Sequence, residues 1–157
     1  MKDSWLYKTE SLDDAIAFRV YRLGRILSVS LTRILEQSGL GLSAEQYFLF
    51  FRIQTREGCS QTDLSEKYLN DAPNVTRLLD SLQAKGLIER RPDLSDRRKH
   101  TLYSTKLGRQ KWKDLVNLIR KERRELYQGI TTEDLAQFLS TAAILEVNAI
   151  AMTSSGT

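Results

Sequence analysis

Asp96, Arg97, Arg98 and Lys99 are four consecutive charged residues in a stretch that otherwise resembles two short strands joined by a turn. Such a turn cannot bury this much charge, because burying an unpaired ion is costly. Its chemistry is therefore electrostatic: the tip is solvated when free and can contact phosphate oxygens when bound. Arginine suits that task because its guanidinium stays charged and is only weakly hydrated. These residue types point to binding of a polyanion.

Positive charge is concentrated between residues 85 and 124. This segment contains 14 Lys and Arg against 5 Asp and Glu, a net charge of +9, whereas the rest of the chain contains 10 against 15, a net charge of −5. Separation of charge on this scale favours a surface that binds nucleic acid. A single solvated basic helix is the alternative.

Within the charged turn, the residues are predicted to have separate roles. The minor groove of DNA is narrow and strongly negative, so we expect Arg97 to insert there. Asp96 repels phosphate, and we interpret it as an ion-pair partner that stiffens the turn through Arg98. A surface pair contributes only ~0–1 kcal/mol to stability, so its role is orientation. Arg98 and Lys99 are also candidates for phosphate contacts.

The elements that must position this turn are mostly helical. Apolar spacing predicts a helix over 11–38, and Ser43 with Gln46 has the spacing of a capping box that opens a second helix. Residues 61–86 fit a short helix, a tight turn at 69–71 and a second helix. Asp71, the last residue of the turn, is expected to cap the second helix. LIERR and HTLYST predict a two-stranded hairpin. Two further helices are predicted at 106–128, capped by Thr105, and from Thr131 to near Met152.

The helix after the tight turn is predicted to read DNA. Its apolar positions have i, i+3, i+4, i+7 spacing, and this pattern leaves the following residues outward: Pro73, Asn74, Thr76, Arg77 and Ser81. Arginine can read guanine and asparagine can read adenine in the major groove. A phosphate contact for Arg77 and a capping role for Asn74 are the alternatives.

NVTRLLDSLQAKGLIERRPDLSDRRKHTLYSTKLG resembles the recognition helix and wing of the MarR-type transcriptional regulators. The Asp-x-Arg from Asp96 to Arg98 matches the wing signature of that family, and QTDLSEKY is similar to the preceding helix. Two places depart from the family pattern: CSQTDL at the entry to the short helix, and YSTKLG, which puts Ser104 where leucine is more common.

The resemblance implies a mainly α fold with a small β-hairpin, the wing. It implies a winged helix-turn-helix at 39–105, and dimerisation helices in 1–38 and 106–157 that make an obligate homodimer. It also implies that the two winged helices of the dimer bind a pseudo-palindromic duplex, and that a small-molecule pocket is possible. We therefore expect a sequence-specific DNA-binding repressor. A winged-helix protein-interaction module and an effector-independent DNA-binding protein are the alternatives.

Aromatic and basic residues near the two first helices suggest where an effector binds. A pocket for an aromatic anion could be lined by Tyr21, Arg22, Arg25, Tyr47 and Phe51. Ordinary packing of the rings with solvated arginines is the alternative.

The residues that a metal site, a redox switch or a catalytic site would need are not found in the sequence. Metal sites need three or four clustered ligands, and the chain has one His, His100, and one Cys, Cys59. Cys59 is not placed where peroxide-sensing relatives carry their cysteine, so we expect a bystander. No nucleophile–base–acid set or phosphate loop is found, so we expect neither an enzyme nor a cofactor. No apolar run approaches the ~20 residues of a membrane span, and no secretory signal is expected, which favours the cytoplasm.

Overall fold

The computed structural model describes residues 11, 15–67, 72–93 and 100–154. Over these residues the chain is mainly α-helical with a small antiparallel sheet, which confirms the predicted fold class. The elements in chain order are α1 Ile16–Gln37, α2 Ala44–Thr55, β1 Cys59–Ser60, α3 Gln61–Lys67, α4 Ala72–Ala84, β2 Ile88–Pro92, β3 His100–Ser104, α5 Lys106–Leu126 and α6 Thr132–Ser154. The chain divides into two compact units, Met1–Leu118 and Ile119–Thr157.

The starts of α2 and α5 are set by local side-chain caps, as predicted. Ser43 Oγ accepts from the Gln46 backbone N–H over 3.2 Å, and Gln46 Oε1 accepts from the Ser43 N–H over 3.0 Å. This reciprocal pair satisfies two backbone donors that the first turn of α2 leaves unpaired. Thr105 Oγ1 accepts from the Gly108 N–H at 2.9 Å and begins α5 in the same way. The expected cap at Asp71 and the turn at 69–71 lie outside the described residues.

The core of the first unit is built around α4. Its predicted stripe of Val75, Leu78, Leu79 and Leu82 is buried. The stripe is joined by large buried side chains from neighbouring elements: Leu35, Leu49, Phe50, Ile53, Leu64, Ile88, Leu102 and Leu115. Because this stripe faces inward, the opposite side of α4 is left for solvent or a ligand.

The sheet has three strands rather than the predicted two. The strand order is β1-β3-β2, and β3 pairs antiparallel with both neighbours. Cys59 lies opposite Leu102 in one pair, and Ile88 lies opposite Ser104 in the other. β1 has only two residues, which is too short for an alternating pattern, so its sequence carries no strand signal. Its pairing holds the start of α3 against the wing.

Helices α1 and α6 carry many exposed apolar side chains. On α1, Val20 is 56% exposed and Ile26 is 56% exposed; on α6, Leu139 and Val147 are each 66% exposed. The segment Thr132–Thr153 has a mean hydropathy of 1.5 and is long and apolar enough to cross a membrane by length and composition alone. Polar residues are interspersed in this segment, so the value is a mean over the window and not a continuous apolar run of ~20 residues.

Candidate nucleic-acid interface

The tip of the wing is not part of the described structure. Asp96, Arg97, Arg98 and Lys99 all lie in 94–99, outside the described residues, so the minor-groove insert and the Asp96–Arg98 pair stay predictions. The described part of the wing is its base, formed by β2 and β3. The geometry of the site is therefore built from α3, α4 and these two strands.

The first turns of α4 present the predicted reading residues. Pro73 and Arg77 are exposed and Asn74 is half-buried. Arg77 Nη2 donates a hydrogen bond to Asn74 Oδ1 over 2.8 Å. A guanidinium has five N–H donors, so this bond leaves others for a nucleic-acid base or phosphate. The structure thus brings together the two residues for which sequence reasoning proposed base contacts.

Thr76 and Ser81 are both half-buried on α4. Gln61 Nε2, at the start of α3, donates to Thr76 Oγ1 over 2.6 Å. The Thr76 hydroxyl in turn donates to the Ala72 carbonyl at 2.9 Å. Thr76 therefore links the two helices of the helix-turn-helix, a role that its outward position in the sequence did not reveal.

Arg90 links the wing to the recognition helix, and sequence reasoning missed it. Arg90 Nη2 lies 2.7 Å from Asp80 Oδ1, and Arg90 Nη1 donates to Gln83 Oε1 over 2.6 Å. Successive side chains of a strand point to opposite faces, so Arg90 shares the α4-facing side of β2 with the buried Ile88. That alternation was a usable signal, but the partners on α4 could not be chosen without the fold.

Arg91, the next residue along β2, points to the other face. Its guanidinium carbon lies 4.2 Å from the centre of the Tyr103 ring, a cation–π contact, and its Nε donates to Glu89 Oε1 over 2.9 Å. Its Nη2 also forms an ion pair with the same carboxylate. The two arginines at the wing base are thus both engaged by protein groups, on opposite faces of one strand.

The predicted effector residues fall into two groups. Tyr21, Arg22 and Arg25 are exposed on α1, where Arg25 also borders a surface groove of about 400 Å³. Tyr47 is buried, and its ring is stacked on Trp112 at a centroid distance of 6.0 Å. Phe51 is 38% exposed and meets the same Trp112 edge-on at 5.5 Å. Binding of an effector by these residues stays a prediction.

Cys59 and His100 lie at strand ends of the sheet. Cys59 is buried in β1, and desolvation raises the pKa of its thiol, opposed by the nearby Arg52 guanidinium. A raised pKa keeps the thiol protonated at neutral pH, the less reactive form. His100 is exposed at the start of β3. Within the part of the chain that the structure describes, no group of three or more His, Cys, Asp or Glu could hold a metal ion.

Known proteins share this arrangement. A family model described as the MarR family matches residues 42–100, which span α2 to the first residue of β3. A MarR-family transcriptional regulator from Silicibacter pomeroyi superposes with a TM-score of 0.73 and 25% identity, covering 88% of this chain and 92% of its own. The match thus includes most of both chains.

Two similar structures contain ligands. The transcriptional repressor CouR, bound to a 23-mer DNA duplex, has a TM-score of 0.77 and 21% identity, with coverage of 88% of this chain and 97% of that one. CouR from Rhodococcus jostii RHA1, bound to p-coumaroyl-CoA, has a TM-score of 0.77 and 24% identity, with coverage of 85% and 93%. Residues 42–100 thus match the MarR family model, and over most of its length the chain is similar in fold to MarR-family transcriptional regulators.

Proposed function

We propose that the protein is a cytoplasmic repressor that binds a pseudo-palindromic operator as a homodimer. The single observation that carries the proposal is the hydrogen-bonded pair of Arg77 and Asn74 on the outward side of α4. An arginine and an asparagine held together on the first turns of a recognition helix are suited to bidentate contacts with guanine and adenine.

The wing is proposed to add contacts in the neighbouring minor groove. Arg97 is the expected insert, with Arg98 and Lys99 on phosphates, because this groove concentrates negative potential. The support is the sequence of the segment 94–99 and the strands that carry it, β2 and β3. These contacts add affinity that depends steeply on salt, because each neutralised phosphate releases counterions.

Homodimerisation is proposed through the regions 1–38 and 106–157, with 39–105 as the DNA-binding lobe. The support is the exposed apolar surface of α1 and, separately, of α6. Exposed apolar surface on this scale marks interaction sites in soluble proteins. A two-fold dimer places two recognition helices on half-sites about 34–36 Å apart, one turn of duplex.

Release by a small aromatic or anionic effector is the regulatory part of the proposal. CouR has been solved with p-coumaroyl-CoA, and here Phe51 and Tyr21 expose aromatic rings while Arg22 and Arg25 are exposed on α1. An effector shifts DNA binding only if it binds the two conformations of the dimer with different affinities. We propose that it favours a separation of the reading heads that does not match the operator.

Selection of bound fragments from a random duplex pool tests the proposal. We expect recovery of a site with two inverted half-sites about one turn apart, and a mass in light scattering of two chains per duplex. The matched control is the same duplex with one half-site inverted, so that the two half-sites form a direct repeat. If no duplex sequence is recovered, and the chain instead associates with other proteins in a way that is insensitive to salt, the interaction-module alternative is favoured.

The effector part has its own test. Screening aromatic carboxylates and their thioesters for release of the labelled operator should find a compound that weakens binding. A protein that holds its operator unchanged across that series is an effector-independent DNA-binding protein.

A further inference from the structure

We infer that Arg90 is a positioning residue for DNA binding, because it fixes the wing to the recognition helix through Asp80 and Gln83. These three residues are called the brace. The inference rests on the proposed DNA-binding function and deepens it, since it assigns a role to three residues that do not themselves need to contact a base. The brace would set the angle between α4 and the wing.

The brace is a forked contact between secondary-structure elements. One guanidinium nitrogen lies 2.7 Å from Asp80 Oδ1 and the other donates to Gln83 Oε1 over 2.6 Å. Two contacts from one planar group to two different side chains restrain direction as well as distance, which a single contact or an ammonium does not. The Arg90 side chain is only 19% exposed, whereas Asp80 is 59% exposed and Gln83 is exposed, so the fork reaches from the wing base to the surface of α4.

The Asp80 arm of the brace lies next to the reading pair on α4. Arg77 follows Asn74 and Asp80 follows Arg77 at i, i+3 spacing, which makes each residue a surface neighbour of the next. Asp80 is 59% exposed there. The surface that reads the duplex is therefore continuous with the contact that holds β2, and movement at the brace displaces the wing relative to the reading pair.

The charge of Asp80 makes the inference testable. A carboxylate next to a DNA-reading face repels phosphate, so electrostatics alone predict that its removal strengthens binding to any duplex. The brace predicts the opposite sign, because removal frees the wing. A direct phosphate contact by Arg90 also predicts stronger binding after removal, since the guanidinium would be released from its competitor.

Asp80→Asn is the decisive variant, measured by fluorescence anisotropy with the selected operator. We expect affinity for the operator to fall about five- to tenfold, while affinity for unrelated duplex falls less, because only the operator complex needs both elements in register. Glu45→Gln, which removes an exposed carboxylate on α2, is the matched charge control. Unchanged or tighter operator binding by Asp80→Asn would overturn the inference.

Variants of the arginine separate positioning from phosphate contact. Arg90→Met should weaken operator binding while the slope of log affinity against log salt stays as in the wild type, whereas a lost phosphate contact lowers that slope by about one. Arg90→Lys keeps the charge but not the fork, and should recover only part of the affinity. A reduced salt slope in Arg90→Met would assign the residue to phosphate and overturn the brace.

Folding and function are kept apart by two further measurements. Circular dichroism and thermal unfolding confirm that each variant is folded, and Gln83→Ala provides a second variant, in which one arm of the fork is lost and a helix-compatible residue remains. Gln83→Ala should weaken operator binding in the same direction but by less. If the wild-type chain binds no duplex, both the proposed function and the brace are overturned. If the wild type binds the operator and the variants bind it equally well, the brace alone is overturned.

Discussion

The Arg77 guanidinium and the Asn74 side-chain amide are hydrogen-bonded to each other across 2.8 Å on the first turns of α4. A long flexible side chain loses rotamer entropy on binding, and a partner that restrains it in advance lowers that cost. The hydrogen bond thus restrains both side chains in the free protein before the base contacts that we propose for them.

Arg77→Ala should relax sequence preference. We expect discrimination at one base pair of each half-site to fall by about 1–3 kcal/mol, because a bidentate contact to a guanine is lost. Competition of the operator against single-base variants measures this. Arg77→Lys is the matched control, since it keeps the charge without the fork; equal weakening of all sequences by Arg77→Ala, restored by lysine, would mean that the residue holds phosphate.

Arg97→Ala should weaken operator binding sharply while the dimer stays intact. The residue is expected to enter the minor groove, and its loss should lower the salt slope by about one. Mobility-shift titrations at several salt concentrations, with light scattering for the dimer, provide the measurement. Arg56→Ala removes the same charge from the exposed end of α2 as a control. Equal affinities for wild type and Arg97→Ala refute the assignment.

Local chemistry was readable from the sequence, and long-range pairing was not. Ser43 and Thr131 each have a capping partner three residues on, and Thr105 is a capping residue type directly before a helical pattern, so local sequence predicted the starts of α2, α5 and α6. β1 and the Arg90 brace depend instead on which segments the core brings together. Short strands and surface ion pairs have weak local signatures, and tertiary packing decides both.

The outward residues of α4 were predictable for a different reason. The buried stripe of α4 determines its outward residues, so Arg77 could be placed from periodicity alone. Its bond to Asn74 and the Gln61–Thr76 link depend on rotamers and on the α3–α4 crossing, which periodicity does not specify. The roles of 94–99 stay predictions from the sequence.

The start of α6 should be sensitive to acid. Backbone and side-chain hydrogen bonds from Thr131 hold the pKa of Asp134 below its ordinary value. A depressed folded-state pKa means that the stabilisation is present above the ordinary carboxyl pKa and is lost as pH falls through the depressed one. The Thr131 and Asp134 amide signals in NMR should shift over that acidic window. Asp134→Asn should abolish the shift, whereas Glu133→Gln, the adjacent carboxylate, should preserve it.

Ser104→Ala should stabilise the protein. The Ser104 side chain is 1% exposed and its hydroxyl has no hydrogen-bond partner. Leaving a buried hydroxyl unpaired costs about 1–3 kcal/mol, so we expect a gain of about 1 kcal/mol in the free energy of unfolding. The adjacent Thr105→Ala is the matched control and should cost about 1 kcal/mol, because that hydroxyl caps α5. A loss of stability in Ser104→Ala would mean that its hydroxyl is satisfied.

Gly108→Ala should destabilise the wing base, although alanine is the better helix former. A Cβ at this position would lie 1.9 Å from the Leu87 carbonyl oxygen, and a backbone atom cannot rotate away. Overpacking of this kind costs about 1–3 kcal/mol, which outweighs the gain in helix propensity. Chemical denaturation gives the difference, and Gln110→Ala, at an exposed position on the same helix, should stay within about 0.5 kcal/mol of wild type. A Gly108→Ala protein as stable as wild type would show that α5 can move away from Leu87, and the close approach of helix to strand would then not be required by the fold.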